Sequence, residues 1–236
     1  MAWFHAANNA LVSDVIDVAL SRKERLSGVY SPYPVADLDL AKPIRRWNRN
    51  YILALKMMEL EQRFPKPLER VLALLDWMRN EFIFGGPAAL LASVYFGPNS
   101  SPKRRVFKGK NSSNREEAIA GVRNAAWDLT QLSEFIRRVN DDGPNGNIRY
   151  LFASLDKNLR LMAKLLFECG GNATSGLEMR KALSRWWPQS AAACIADAMF
   201  DHIQRIQSPE WKAKTSSDTD YINELIRKGE QHIRQM

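Results

Sequence analysis

The chain has 236 residues, 45% of them hydrophobic and 25% charged, the make-up of a globular protein with a real core rather than of a disordered or fibrous one. It carries 34 Lys and Arg against 26 Asp and Glu, a formal net charge of +8 and a pI near 9.6, which favours polyanionic partners and says nothing of the fold. The only two cysteines, Cys169 and Cys194, are too few for a disulfide framework or a Cys-based zinc site.

In chain order, Ala2–Ala7 suits a brief opening strand. From Leu11 the apolar residues fall at 11, 12, 15, 16, 19 and 20, the helical period, which predicts a helix ending near Arg25 and a Pro-containing loop after it. Trp47, Tyr51, Ile52, Leu55, Met58 and Leu60 pattern a second helix, stopped by Pro65 and Pro67. Leu68, Val71, Leu72, Leu75 and Met78 pattern a third, and Pro87 opens a short apolar helix over Ala88–Phe96. Apolar stretches of that length fall short of the roughly 18–20 residues that span a bilayer, and MAWFHAANN lacks the shape of a secretory signal. A cytoplasmic protein with no membrane partner is therefore expected.

Residues 99–115 form a Gly/Ser/Asn/Pro loop with six basic residues and no acid: Lys103, Arg104, Arg105, Lys108, Lys110 and Arg115. Lys42, Arg45, Arg46 and Arg49 make a second basic cluster. Each is either a solvated surface or a contact to phosphates, and two in one basic chain raise nucleic acid above other partners. Asn114, Glu116 and Glu117 signal a helix start, and the stripe Val122, Ala125, Leu129, Leu132, Ile136 and Val139 carries that helix onward. NDDGPNGN breaks it. IRYLFAS reads as a strand followed at once by Asp156 and a helix, DKNLRLMAKLLFE. Three further helices, Leu177–Trp187, Ser190–Gln207 and Tyr221–Gln235, are expected beyond Gly170–Gly176.

Two acids stand out. An acid just after a buried strand sits at the carboxyl edge of a sheet, where α/β proteins place ligands, although Asp156 is equally placed to cap a helix. Asp128 lies on the edge of its helix's apolar stripe, and a carboxylate there needs a compensating partner such as a cation. Glu59, and beside it Glu61, sits near an apolar face with less to distinguish it.

The motifs LFASLDKNLRLMA at 151–163, AWDLTQLSEF at 126–135 and MEL at 58–60 resemble those of the PIN-domain nucleases, over about residues 2–170. The resemblance implies a helix-rich three-layer α/β/α fold with a small, mostly parallel sheet. It implies a nuclease domain at 1–170 with a helical insertion at 47–97, and a C-terminal helical annex at 177–236. Asp128, Asp156 and Glu59 would bind Mg²⁺ or Mn²⁺ for RNA hydrolysis, with Lys103, Arg104, Arg105, Lys108 and Lys110 on the phosphates. By family analogy the chain would be a toxin or defence effector, held by an antitoxin or a defence-complex protein. One departure is sharp: in WFHAANNALV the family's first acid is replaced by Ala7 (aligned on Asn9) or Ala6 (aligned on Asn8), unless Asp14 or Asp17 serves instead.

Two other readings stay open. One is a non-catalytic, basic helical module binding nucleic acid or protein. The other is a metal-free ribonuclease of the HEPN kind, suggested by the R-x4-H spacing of Arg227 and His232. The histidines His5, His202 and His232 are too scattered for a metal triad, and there is no phosphate-binding glycine loop and no GxSxG elbow.

Overall fold

The computed structural model describes residues 10–28, 44–100, 106–142, 150–170, 176–206, 208 and 219–236. These form helices: α1 (Val12–Ala19), α2 (Arg45–Arg63), α3 (Pro67–Asn80), α4 (Gly86–Phe96), α5 (Arg115–Asp142), α6 (Lys157–Gly170), α7 (Gly176–Leu183), α8 (Gln189–Ile206) and α9 (Thr219–Arg234). Two compact units result, Met1–Pro43 and Ile44–Met236.

The expected α/β/α sandwich is overturned: among the described residues there is no strand and no sheet. Residues 150–155, the described part of the strand read at IRYLFAS, are irregular. The reason lies in their surroundings. A strand of a parallel sheet is covered on both faces and hydrogen-bonded to neighbours. Here Leu151 is 91% and Leu155 100% exposed, and only Phe152 packs against the core, so the segment is not covered on both faces. The opening strand at Ala2–Ala7 lies outside the described residues.

In the second unit α2 is central, packing against α3, α4, α5 and α9. Residues 50–55 of α2 are all buried, because helices approach it from several sides. The apolar helix α4 is buried along its whole length from Ala88 to Phe96, which is what an all-round apolar helix too short for a membrane requires. No helix among the described residues is long and apolar enough to cross a bilayer.

Local signals set the helix starts. Pro occupies the first turn of α3 and of α4. Asn114 Oδ1 accepts the Glu116 amide at 3.1 Å to open α5. The segment α2–α4, read from the sequence as an insertion, supplies much of the core, and α9 lies in the same unit against α2 and α5. Gly229 lets α9 come close, since a Cβ there would stand 2.9 Å from Leu55 Cβ. That glycine costs helix propensity and returns helix–helix packing.

In the first unit, Asp14 of α1 accepts Lys23 Nζ at 2.6 Å and the Ser27 amide at 3.0 Å. These bonds, the lysine's first, hold its carboxyl down to about 2.

Candidate functional site: a carboxylate pair between α5 and α6

Gly121, Ala125, Asp128 and Leu132 are spaced four, three and four apart and so share one face of α5. The loop after residue 105 lies directly on that face. A side chain at Gly121 would overlap the Lys108 carbonyl, and Gly109 turns the loop at a φ of +68° against the Glu117 backbone. Phe107 anchors the loop at 1% exposure, which leaves Lys108 at the surface and Val106 facing Asp128.

From the other side, Asp156 opens α6. Its Oδ1 accepts the amides of Asn158 at 2.7 Å and Leu159 at 3.2 Å, so the capping role is real. The same carboxylate also faces a small cavity with Asp128. Asn158 completes the polar part of the wall, and Leu91, Val106, Leu129, Leu159 and Met162 make most of the rest. The cavity holds about 30 Å³, room for an ion or a water and not for a nucleotide.

Asp128 accepts no hydrogen bond and forms no ion pair with any described residue. Burial raises its pKa, the charge of Asp156 raises it further, and Lys108 acts in the opposite direction. A half-buried carboxylate beside a second one, in apolar walls, is electrostatically costly until a cation or a proton arrives. The donor set suits a hard divalent ion: two carboxylates are what Mg²⁺ commonly takes from a protein, the remaining positions going to water and phosphate. No group of three or more His, Cys, Asp or Glu able to hold a metal occurs among the described residues.

The other residues singled out by sequence fall elsewhere. Glu59 accepts Lys56 Nζ at 2.8 and 2.9 Å and is not in the wall of this cavity, so it joins neither aspartate. Lys110 donates to Glu61 at 2.8 Å and to the Tyr95 hydroxyl at 2.9 Å, a network that spends its charge inside the protein. Ala6, Ala7, Asn8, Asn9, Lys103, Arg104 and Arg105 lie outside the described residues. Asp14, the alternative first acid, is fully engaged by Lys23 and Ser27.

Arg227 and His232 both ride on α9. Five residues turn side chains about 140° apart around a helix, so the two do not share a face. Arg227 is exposed, whereas His232 Nε2 is buried without a partner. Between them, Gly229 and Glu230 serve packing. Glu230 Oε1 accepts the Tyr51 hydroxyl at 2.7 Å and Arg123 at 2.6 Å. Lys108 is singled out by sequence, but the packing of its loop on Gly121, which brings it to the Asp128 face, is not. The available signal was a lone glycine inside a strongly helical run, which marks close backbone approach.

No family model, curated protein or solved structure matches this chain.

Proposed function

We propose that the chain hydrolyses RNA phosphodiesters with a divalent metal ion held by Asp128 and Asp156. The observation that supports this is the shared cavity, in which two carboxylates meet among apolar side chains with Lys108 beside them. The reading does not borrow the PIN architecture, whose sheet is missing from the described residues, and rests on the aspartate pair itself.

Asp128 and the second oxygen of Asp156 would hold the ion, while Asp156 Oδ1 remains committed to α6. A bound Mg²⁺ or Mn²⁺ supplies Lewis acidity toward the phosphate and a lowered pKa for attacking water. Asp128 is half-buried among apolar walls, which strengthens charge interactions on its side of the cavity. Lys108, exposed and near enough to act on the Asp128 carboxyl, would meet a phosphate by charge.

The test is calorimetric titration of the whole chain with Mn²⁺, run beside cleavage of a structured and an unstructured RNA. Binding should weaken at least tenfold in Asp156→Ala and in Asp128→Asn, and cleavage should fall with it. Mn²⁺ binding that is identical in both variants and the parent sinks the proposal. Cleavage that persists in EDTA and is lost in His232→Ala would move the chemistry to α9.

A further inference from the structure

A second site lies where the starts of α2 and α4 face the C-terminal end of α5. A cleft of about 420 Å³ opens there, within the size range of small-ligand pockets. Its two halves differ in chemistry. On one side stand Arg46, Arg49 and Arg137, with Asp141 among them; on the other, Ile83, Phe84 and Pro87.

The charge of the basic half is not fully spent. Arg137 bonds Glu134 at 2.6 Å and Asp141 at 2.6 Å, and Arg46 donates to the Ser133 carbonyl at 3.1 Å with Glu134 3.5 Å away. Arg138 also reaches Glu134 at 3.0 Å. Three guanidinium groups therefore share two carboxylates, and Arg49 forms no ion pair or hydrogen bond with a described residue. Glu134 is held down to about 2, first by Arg137, so it stays charged and keeps the arginine fork in place. The start of α4 adds to the field: Gly85 precedes it with no side-chain cap, leaving the positive end of the helix dipole toward the cleft.

The apolar half is also fixed. Phe84 stacks on His202 with ring centres 5.0 Å apart and planes within 10°. Gly85 packs closely on Leu53, since a Cβ there would come 2.6 Å from Leu53 Cδ1. A planar apolar group beside Phe84 and a phosphate at Arg49 would occupy the two halves together.

We propose that this cleft binds a nucleoside phosphate, its base against Phe84, Ile83 and Pro87 and its phosphate against Arg49, Arg46 and Arg137. Guanidinium forks match phosphate oxygens two at a time, and base stacking on an aromatic ring tolerates any base. The ligand is a free nucleotide or the terminal nucleotide of an RNA strand. The cleft uses neither Asp128 nor Asp156, so its binding is independent of metal and of cleavage.

The experiment is calorimetric titration of the full chain in EDTA with adenosine monophosphate, adenosine, inorganic phosphate, and a short single-stranded RNA with or without a 5′-phosphate. The monophosphate should saturate one site, with adenosine at least tenfold weaker. Arg49→Ala should weaken the monophosphate about tenfold at unchanged melting temperature, and Arg49→Lys should fall between. Phe84→Leu should weaken the nucleotide more than inorganic phosphate. A phosphorylated strand that binds more tightly than the free nucleotide assigns the strand end; the reverse assigns the free nucleotide. Equal affinity for adenosine and its monophosphate overturns the proposal, as does Arg49→Ala binding like the parent, or an acidic peptide displacing the nucleotide at lower concentration. Loss of RNA cleavage in Asp128→Asn with nucleotide binding intact separates this site from the carboxylate pair.

Discussion

The two faces of α5 obey different rules. Toward α2 and α9, its polar groups are paired: Asn50 donates to Thr130 at 3.1 Å, Arg123 meets Glu230 at 2.6 Å, and Glu116 meets Arg234 at 2.7 Å. Toward α6, Asp128 is left without a described partner and set against Asp156 among apolar side chains. The first face spends polar groups on holding helices together. The second carries an electrostatic cost that Lys108 offsets only in part, and such costs concentrate where a ligand is bound.

The comparison breaks most visibly at Gly121. Gly121→Ala pushes a methyl into the Lys108 backbone, and should cost about 3 kcal/mol in urea unfolding while displacing the loop from the Asp128 face. Unchanged stability would show that the loop does not lie on α5. Glu230→Ala strips partners from Tyr51, whose hydroxyl is buried, and from Arg123. It should cost about 2 kcal/mol by the same measurement.

On the opposite face the sign reverses. Asp128→Asn removes a charge that Lys108 offsets only in part and should raise stability by about 1 kcal/mol at neutral pH, while Mn²⁺ binding weakens at least tenfold. A stabilised variant that still binds Mn²⁺ as the parent does would leave Asp128 a purely structural residue.

The same contrast appears in acid. Asp128 has a raised pKa in the fold, so the folded state binds the proton more tightly than the unfolded chain. Its contribution to stability is therefore greatest below the unfolded value near 3.8 and falls as pH rises through the folded value. Asp14 behaves oppositely: its pKa of about 2 means that its contribution is full above the unfolded value of 3.8 and disappears as pH falls toward 2. Following the Ser27 amide resonance down this range should show the smallest effect, a local loosening around residues 14–27. A Ser27 signal that does not move between pH 4 and 2 would contradict the Asp14 contact.

Helices were readable in the sequence with little ambiguity. The stripe from Val122 to Val139 lies within α5, and the patterns at 47–60, 68–78 and 88–96 lie within α2, α3 and α4. The predicted helix over residues 11–25 is shorter, Val12–Ala19, and the one from Leu177 ends at Leu183. The run IRYLFAS misled because apolar content alone does not distinguish a buried strand from an irregular segment. Only the exposure of Leu151 and Leu155 settles which one it is.

What the sequence determined by itself was periodic and local: which residues turn into helices, which faces are apolar, and that Asp156 could cap α6. Periodicity does this because a helix face is set by spacing of three and four along one chain. Tertiary structure alone decided that Asp128 and Asp156 share a cavity, that Glu59 turns to Lys56 instead, and that Arg49 and Phe84 line one cleft. Those relations join residues tens of positions apart through the way α2, α4, α5 and α6 pack. No spacing rule along the chain encodes such packing.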